Sequence, residues 1–233
     1  MLVGLITSFF SIFTIDCSFH LVTNVFGLNY IGNIQTARWF YIHSIVNFII
    51  MCYSISDIKL MFNNITNISN LKWTYNSEMT FIYACLLHFY HILFFRLTIA
   101  DKLHHFLMLF ICAPLTYMTD NVFTSFALFF LSGLPGFIDY ALLYLVKLGI
   151  IDSLTEKYTY LLITTWIRNP GCNMCLIIAL IILKQTYDRL KLIYITLSTF
   201  ITFINGNYYL IVTYFDYFDK LNKLNKLKEK QQV

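Results

Sequence analysis

The feature that most constrains this chain is a succession of apolar segments, each long enough to cross a lipid bilayer. A membrane-spanning helix needs about 20 mostly apolar residues, and such stretches recur along the chain, separated by short polar segments. Hydrophobic residues make up 58% of the chain and charged residues 12%, which leaves too little polar surface to cover a soluble core of this size. Segments 126–131 and 176–183 are apolar without the alternation of a barrel strand. The sequence therefore predicts an all-α, polytopic membrane helical bundle.

Apolar length and polar punctuation predict about seven transmembrane helices. We expect the sixth to bend at Pro170 and the most polar segment, 57–77, to form a loop. The predicted organisation is an N-terminal transmembrane helix and connector at 1–36, a six-helix membrane domain at 37–218, and a basic tail at 219–233. The predicted spans are 2–26, 37–56, 78–99, 102–117, 122–148, 158–183 and 190–218.

The distribution of charge predicts the orientation in the membrane. The net charge of +4 depends largely on the last fifteen residues, and lysine-rich ends beside a membrane helix are kept in the cytosol. We therefore predict a cytosolic C-terminus that can also touch anionic lipid, and no nucleic-acid partner. With seven spans, the loop that carries the glycosylation sequons of Asn64 and Asn67 is lumenal. Against the charge rule, Lys184, Arg189 and Lys191 then also lie on the lumenal side.

The six cysteines do not form a disulfide pattern, because they are scattered singly through apolar segments apart from Cys172-Asn-Met-Cys175. That pair lacks a second Cys-x-x-Cys and follows Asn169-Pro170-Gly171 in an apolar helix. We therefore predict neither a redox nor a metal role for it, and no bound cofactor.

The six histidines are the best indication of function. All lie in the first half of the chain, in or at the edge of predicted spans, and ionisable groups inside a bilayer are functional candidates by default because they are costly there. Taken alone, His20 and His43 are more simply interpreted as buried hydrogen-bonding residues. The histidines are His20, His43, His88, His91, His104 and His105.

The segment Asp101-Lys-Leu-His104-His105 has the strongest catalytic pattern. On a helix, Asp101, His104 and His105, followed by Met108 and Cys112, form one stripe. A carboxylate one turn from an imidazole fixes the ring tautomer and raises its basicity, as a general base or an acyl-accepting nucleophile requires. We predict His104 and His105 as catalytic residues oriented by Asp101. The alternative is a buried hydrogen-bonded cluster that only holds helices together.

Two further histidines on the preceding span belong to the same predicted cavity. His88 and His91 share one helical face, and a short connection makes consecutive spans neighbours. Such a convergence also suits a metal, but the membrane di-iron desaturases and hydroxylases use more histidines than the six present here. We predict no metal, with a single zinc or iron site as the alternative.

The fifth predicted span carries small residues and a carboxylate. Ser132-Gly-Leu-Pro135-Gly136 allows close helix approach or a broken helix that lines a cavity. An unpaired Asp139 at that depth is costly, so we expect it to meet a cation or an imidazole. It is either a catalytic residue or a structural partner of Arg168.

Together these motifs resemble the TLC domain, the family of the ceramide synthases and the translocating-chain-associating membrane proteins. The resemblance covers about 37–218. It is carried by Arg38-Trp-Phe-Tyr-Ile-His43 with Asn47, by Asp101-x-x-His104-His105, and by Gly136-x-x-Asp139-Tyr with the following Leu142-Leu-Tyr-Leu-Val-Lys147.

The resemblance implies a cup of six helices in the endoplasmic reticulum, preceded by one extra span. In the synthase branch the paired histidines line an acyl-CoA chamber and carry acyl transfer to a long-chain amine, assisted by downstream aspartates. Here His104 and His105 match that pair, and Asp139 matches one of the aspartates. The chain departs from the synthases in having Met108 where they carry Thr, and in lacking their Ser-Tyr-x-x-Asn block and His-Asp couplet.

We therefore expect a protein that acts on membrane lipids, as an acyltransferase with acyl-CoA as co-substrate. The alternative is a non-catalytic TLC-like protein that binds or senses lipids or regulates trafficking. A transporter is not favoured, because no internal repeat is found. The pattern also allows a homodimer. The substrate-binding residues that we predict are His88, His91, His43, Asn47 and Arg168.

Overall fold

The computed structural model describes residues 2–25 and 34–231, without the side chains at 24 and 231, so the predicted end of the first span at Phe26 lies outside the described residues. Within those ranges the regular structure is entirely helical, which confirms the all-α prediction. A short 3₁₀ helix, Ile65–Asn70, follows the second long helix. The long helices are α1 (Leu2–Val25), α2 (Ile34–Asn63), α3 (Tyr75–Phe94), α4 (Ile99–Thr119), α5 (Phe123–Lys147), α6 (Ser153–Gln185) and α7 (Arg189–Gln231).

Six of the described helices, all except α3, are long and apolar enough to cross a membrane, as a multi-pass membrane protein requires. Helix α3 has 20 residues but includes Glu78, His88 and His91, which lower its hydropathy. The outer surface of the bundle is also apolar: Ile99 is 87% exposed, Trp166 74% and Phe10 62%. Apolar surface on this scale is unsuited to water and suited to lipid.

The predicted polar loop at 57–77 is largely helical, and the charge at its start, Asp57, is buried. Helix α2 continues through Asp57, which is 1% exposed. The Asp57 carboxylate accepts hydrogen bonds from the hydroxyls of Thr74 (2.6 Å), Ser77 (2.5 Å) and Ser125 (2.6 Å). These donors satisfy the carboxylate, so α2 does not need to end where its charge begins.

Two other helices are also longer than predicted. Helix α6 begins at Ser153, where the Asp152 carboxylate accepts hydrogen bonds from the amides of Leu154 and Thr155, both at 2.9 Å. The Thr155 hydroxyl, and to a smaller extent the Thr155 amide, donates hydrogen bonds that hold the pKa of Asp152 below its usual value. Helix α7 continues through the basic tail to Gln231.

Helices α2 to α7 form a closed ring of contacts. Contacts run from α2 to α3, α4, α7, α6 and α5 and back to α2, while α1 lies against α2 and α3. Ile12, Ile42 and Leu87 belong to a buried cluster that joins α1, α2 and α3. At the other end, a second cluster joins the end of α2 to α5, α6 and α7.

Each of the three prolines in the chain follows a wide helical turn. The π-helical turns are at 108–112, 129–133 and 164–168, and one residue separates each of them from its proline: Pro114 in α4, Pro135 in α5 and Pro170 in α6. A proline lacks the amide N–H and its ring crowds the carbonyl four residues earlier. In each helix the residue just before proline donates its N–H to the carbonyl five residues back, which widens the turn. The wide turn before Pro170, where the sequence analysis expects a bend, thus has counterparts before Pro114 and Pro135.

Gly171, just after the wide turn of α6, allows close contact with α5. A Cβ atom built at this position would lie 2.0 Å from Cδ1 of Phe130, whose ring packs against Phe126 and Phe129. We expect Gly171→Ala to destabilise the protein by about 1–3 kcal/mol through overpacking, measured by thermal unfolding in detergent. Gly4→Ala is the matched control, because its Cβ would lie 3.3 Å from the end of the flexible Met79 side chain and 3.5 Å from Cδ1 of Ile82, with no severe overlap. An unfolding temperature of Gly171→Ala equal to that of the wild type would contradict this packing.

Candidate functional site

Five of the six histidines converge between α2, α3 and α4. His43 comes from α2, His88 and His91 come from one face of α3, and His104 and His105 come from the first turns of α4. Ring contacts connect all five, so we call them the histidine cluster. The sixth, His20, is exposed on α1, and its described ring contact is with Phe19.

Three members of the histidine cluster form a triangle at its outer end. Nε2 of His88 lies 3.3 Å from Nε2 of His104. The ring centroid of His105 is 5.2 Å from that of His88 and 5.5 Å from that of His104. One ring nitrogen from each of the three residues lies within 4.8 Å of the other two. His104 is exposed, His88 is half-buried and His105 is buried, so the triangle spans the edge of the bundle.

The inner end of the cluster is a stack of aromatic rings. The ring centroid of His91 lies 4.0 Å from those of Trp39 and His43, and 5.4 Å from that of His105. His43 in turn stacks on Tyr140 of α5, with 4.2 Å between centroids. The cluster therefore runs continuously from exposed His104 to the interior face of α5.

Backbone carbonyls fix two of the tautomers. Nδ1–H of His88 donates to the Ala84 carbonyl (2.7 Å), and Nδ1–H of His43 donates to the Trp39 carbonyl (2.9 Å). A carbonyl only accepts, so in the neutral rings each Nε2 keeps a lone pair. Both ring nitrogens of His91 and of His105 are buried and make no hydrogen bond to the described residues. A buried unsatisfied polar atom costs about 1–3 kcal/mol, and such atoms mark places where a ligand, an ion or a water is needed.

The Asp101 carboxylate does not orient an imidazole as the sequence analysis expected. Its described hydrogen bonds go back to the Thr98 amide (2.9 Å) and hydroxyl (2.7 Å), where it completes a capping box at the start of α4. Asp101 remains close enough to act electrostatically on His104 and His105. The group that contacts His104 through a ring nitrogen is His88.

Arg168 and Asp139 form a second polar group, between α5, α6 and α7. The buried Arg168 guanidinium donates to the Tyr160 hydroxyl (2.7 Å) and to Oδ1 of Asn205 (3.0 Å), and it lies 4.1 Å above the Tyr209 ring. Asp139 interacts electrostatically with Arg168, but among the described contacts the two do not form the direct ion pair that the sequence suggested. The positive charge of Arg168 is thus held by neutral oxygen atoms and an aromatic face.

Tyr140 connects the two groups, and the sequence analysis did not assign it a role. It stacks on His43 and interacts electrostatically with Asp139 and Arg168. The close approach of α2 and α5 depends on Gly136, because a Cβ there would lie 2.6 Å from Nδ2 of Asn47. Asn47 follows His43 by one helical turn, and Tyr140 follows Gly136 by one turn. This equal spacing was a sequence signal that His43 lies opposite Tyr140 where Asn47 lies opposite Gly136.

An apolar cavity opens on the lipid-facing surface, beside the helices α3 and α4 that carry four members of the histidine cluster. It has a volume of about 430 Å³ between α1, α3 and α4. Its lining includes Phe10 and Phe89, which are also exposed on the outer surface. A smaller cavity of about 30 Å³, lined in part by His88, shares Cys85 and Leu109 with the first. Space for an apolar chain and space for a water molecule thus adjoin next to an imidazole.

Comparisons of the chain with protein-family models, with curated proteins and with solved structures give no match. Function must therefore be argued from the residues and their geometry.

Proposed function

We propose that this protein is a multi-pass membrane enzyme that transfers an acyl group from acyl-CoA to a lipid acceptor, with the histidine cluster as its reaction centre. One observation carries the proposal: His88, whose Nε2 keeps a lone pair, lines a small cavity that shares Cys85 and Leu109 with a larger apolar cavity, and Phe10 and Phe89 of the larger cavity are exposed on the outer surface. An imidazole is a suitable acyl acceptor and base, and an apolar cavity suits an acyl chain.

The geometry favours His104 as the nucleophile and His88 as its orienting partner. Nε2 of His88 has a lone pair, so a neutral His104 donates its Nε2–H across the 3.3 Å gap and keeps the lone pair on Nδ1. Nδ1 attacks the thioester carbon, the C–S bond breaks, and His88 takes the Nε2 proton of His104. The acceptor then attacks the acyl-imidazole, its proton passes to the CoA thiolate, and His88 returns its proton to His104.

The other predicted site residues have supporting roles in this proposal. His105 is an alternative base beside His104, and His91, His43 and Asn47 line the inner end, where the acceptor head group would be held. Asp139 and Arg168 provide charges of opposite sign close to Tyr140. These charges suit the stabilisation of a developing charge or a zwitterionic acceptor.

The membrane topology in this proposal counts α3 as the seventh span. The closed ring of contacts that α2 to α7 form supports a six-helix TLC-like cup, with α1 as the extra helix. If the lysine-rich end of α7 is cytosolic, the connection between α3 and α4 is cytosolic too. Arg96 and Lys102 lie in and beside that connection, near His104, and cations there suit the phosphates of acyl-CoA. Location in the endoplasmic reticulum belongs to the same proposal, as does a homodimer.

Untargeted lipidomics tests the proposal. Cells that express the wild type are compared with cells that express the His104→Ala/His105→Ala variant at equal protein level. We expect one acylated lipid class to accumulate with the wild type and with the exposed His20→Ala variant, but not with the double variant. Identical lipid profiles for all three, together with no binding of acyl-CoA by the purified wild type, would refute acyl transfer.

A non-catalytic lipid-binding protein is the second candidate. It is favoured by the capping role of Asp101, which leaves the histidine cluster without a hydrogen-bonded carboxylate among the described contacts. In that case a lipid co-purifies with the protein and stays chemically unchanged when acyl-CoA is added.

A further inference from the structure

We propose that His88, His104 and His105 bind one divalent transition-metal ion of the Zn²⁺ class. In a tetrahedral zinc site with Zn–N distances of about 2.0–2.1 Å, two ligand nitrogens are about 3.3–3.4 Å apart. The Nε2 atoms of His88 and His104 are 3.3 Å apart. The third nitrogen, from His105, lies within 4.8 Å of both, so a small side-chain rotation completes the set.

The lone pairs that a metal needs are present on these rings. Nδ1–H of His88 is held by the Ala84 carbonyl, which leaves Nε2 as the ligand atom. This is the outer hydrogen bond that metal-bound histidines usually make. Both ring nitrogens of His105 are buried without a described partner, and metal binding would satisfy one of them.

The surroundings of the triangle suit a bound cation with an open position. Three imidazoles would fill three tetrahedral positions and leave the fourth for water, and the exposure of His104 gives water access to the triangle. Asp101 acts electrostatically on His104 and His105, and Arg168 acts on His104 with the opposite sign and as the smaller effect, so Asp101 balances part of the charge of the ion. Imidazole nitrogens select zinc, copper, iron and nickel over magnesium and calcium, which prefer oxygen ligands.

Metal binding does not require acyl transfer. If the chain does carry out the proposed acyl transfer, metal binding changes the state of its nucleophile, His104. If Nε2 of His104 binds the ion, the neutral ring carries its proton on Nδ1 and has no lone pair with which to attack a thioester. The same three rings thus hold either a shared proton or a metal ion. Zn²⁺ is therefore expected to inhibit acyl transfer.

Metal binding is tested on the full chain, purified in nanodiscs and stripped with a chelator. Titration with Co²⁺, which substitutes for Zn²⁺ and absorbs visible light in a tetrahedral site, is expected to give one bound ion per chain. The variant with alanine at positions 88, 104 and 105 should bind at least about 10- to 100-fold more weakly, since even the outer partners of metal-bound histidines have effects of this size. His20→Ala is the matched control and should bind like the wild type.

Two further variants exclude other causes of a change in Co²⁺ binding. Cys172→Ser/Cys175→Ser tests whether the cysteine pair binds the ion instead, and unfolding of each metal-free variant shows whether it is folded. A single substitution, His105→Ala, tests the site where the triple variant fails to fold. Absence of Co²⁺ binding by the wild type, or unchanged binding by a folded variant that lacks these histidines, overturns the metal site. A chain that binds Co²⁺ but leaves cellular lipids unchanged overturns acyl transfer alone.

Discussion

Replacement of Asp16 by alanine is expected to destabilise the protein by about 3–5 kcal/mol, the usual effect of removing one partner of a buried ion pair. Asp16 of α1 is 5% exposed and accepts two hydrogen bonds from the Arg38 guanidinium of α2. It also accepts one from the Tyr90 hydroxyl of α3, at 2.5 Å. Because arginine cannot be deprotonated in a protein, the variant leaves the Arg38 cation, whose side chain is only 14% exposed, without its counterion. Thermal or denaturant unfolding in detergent measures the loss.

Substitution of the cation provides the matched comparison. Arg38→Met should destabilise less than Asp16→Ala, because a carboxyl group left alone can become neutral by binding a proton. The double variant should destabilise by less than the sum of the single variants, as is usual for residues that interact directly. Additive effects would show that the ion pair does not hold α1 against α2 and α3.

Asp57→Ala is expected to destabilise by about 3 kcal/mol, because it leaves three hydroxyls without their acceptor at roughly 1 kcal/mol each. Ser77 and Ser125 are fully buried and Thr74 caps α3, so water cannot easily replace the carboxylate. Ser56, the neighbour of Asp57, gives the control: its hydroxyl accepts one hydrogen bond from Asn76 (2.6 Å) at an exposed position where water can replace it, so Ser56→Ala should destabilise by no more than about 1 kcal/mol. A destabilisation by Asp57→Ala no larger than that of Ser56→Ala would refute this role. Unfolding of both variants in the same detergent measures the difference.

The sequence predicted the helices well and some of their ends poorly. Apolar length decides whether a segment becomes a membrane helix, and that quantity can be read directly from the chain. The end of α2 was placed too early, because Asp57 resembles a loop residue until its three distant donors are known. A charged residue in an apolar segment indicates the end of a membrane helix only where no buried hydrogen-bond partner satisfies the charge.

The sequence predicted which residues form the candidate site better than it predicted the contacts that these residues make. Convergence of His88, His91, His104 and His105 followed from the short connection between two helices. The partner of Asp101 was missed because the Thr98 capping box competes for the same carboxylate. The stacking of Tyr140 on His43 was missed because the signal for it, the same one-turn spacing in His43/Asn47 and in Gly136/Tyr140, becomes clear only once Gly136 is known to contact Asn47.

The wide turns before the three prolines affect how this chain can be aligned with others. Each contains one residue more than an α-helical turn, which rotates every later side chain by about 100°. Tyr140 reaches His43 from beyond such a turn, at 129–133. A related protein without Pro135 would keep that contact only by also losing one residue from α5. Distant relatives are therefore expected to differ by single-residue gaps inside membrane helices, where sequence comparisons normally do not allow them.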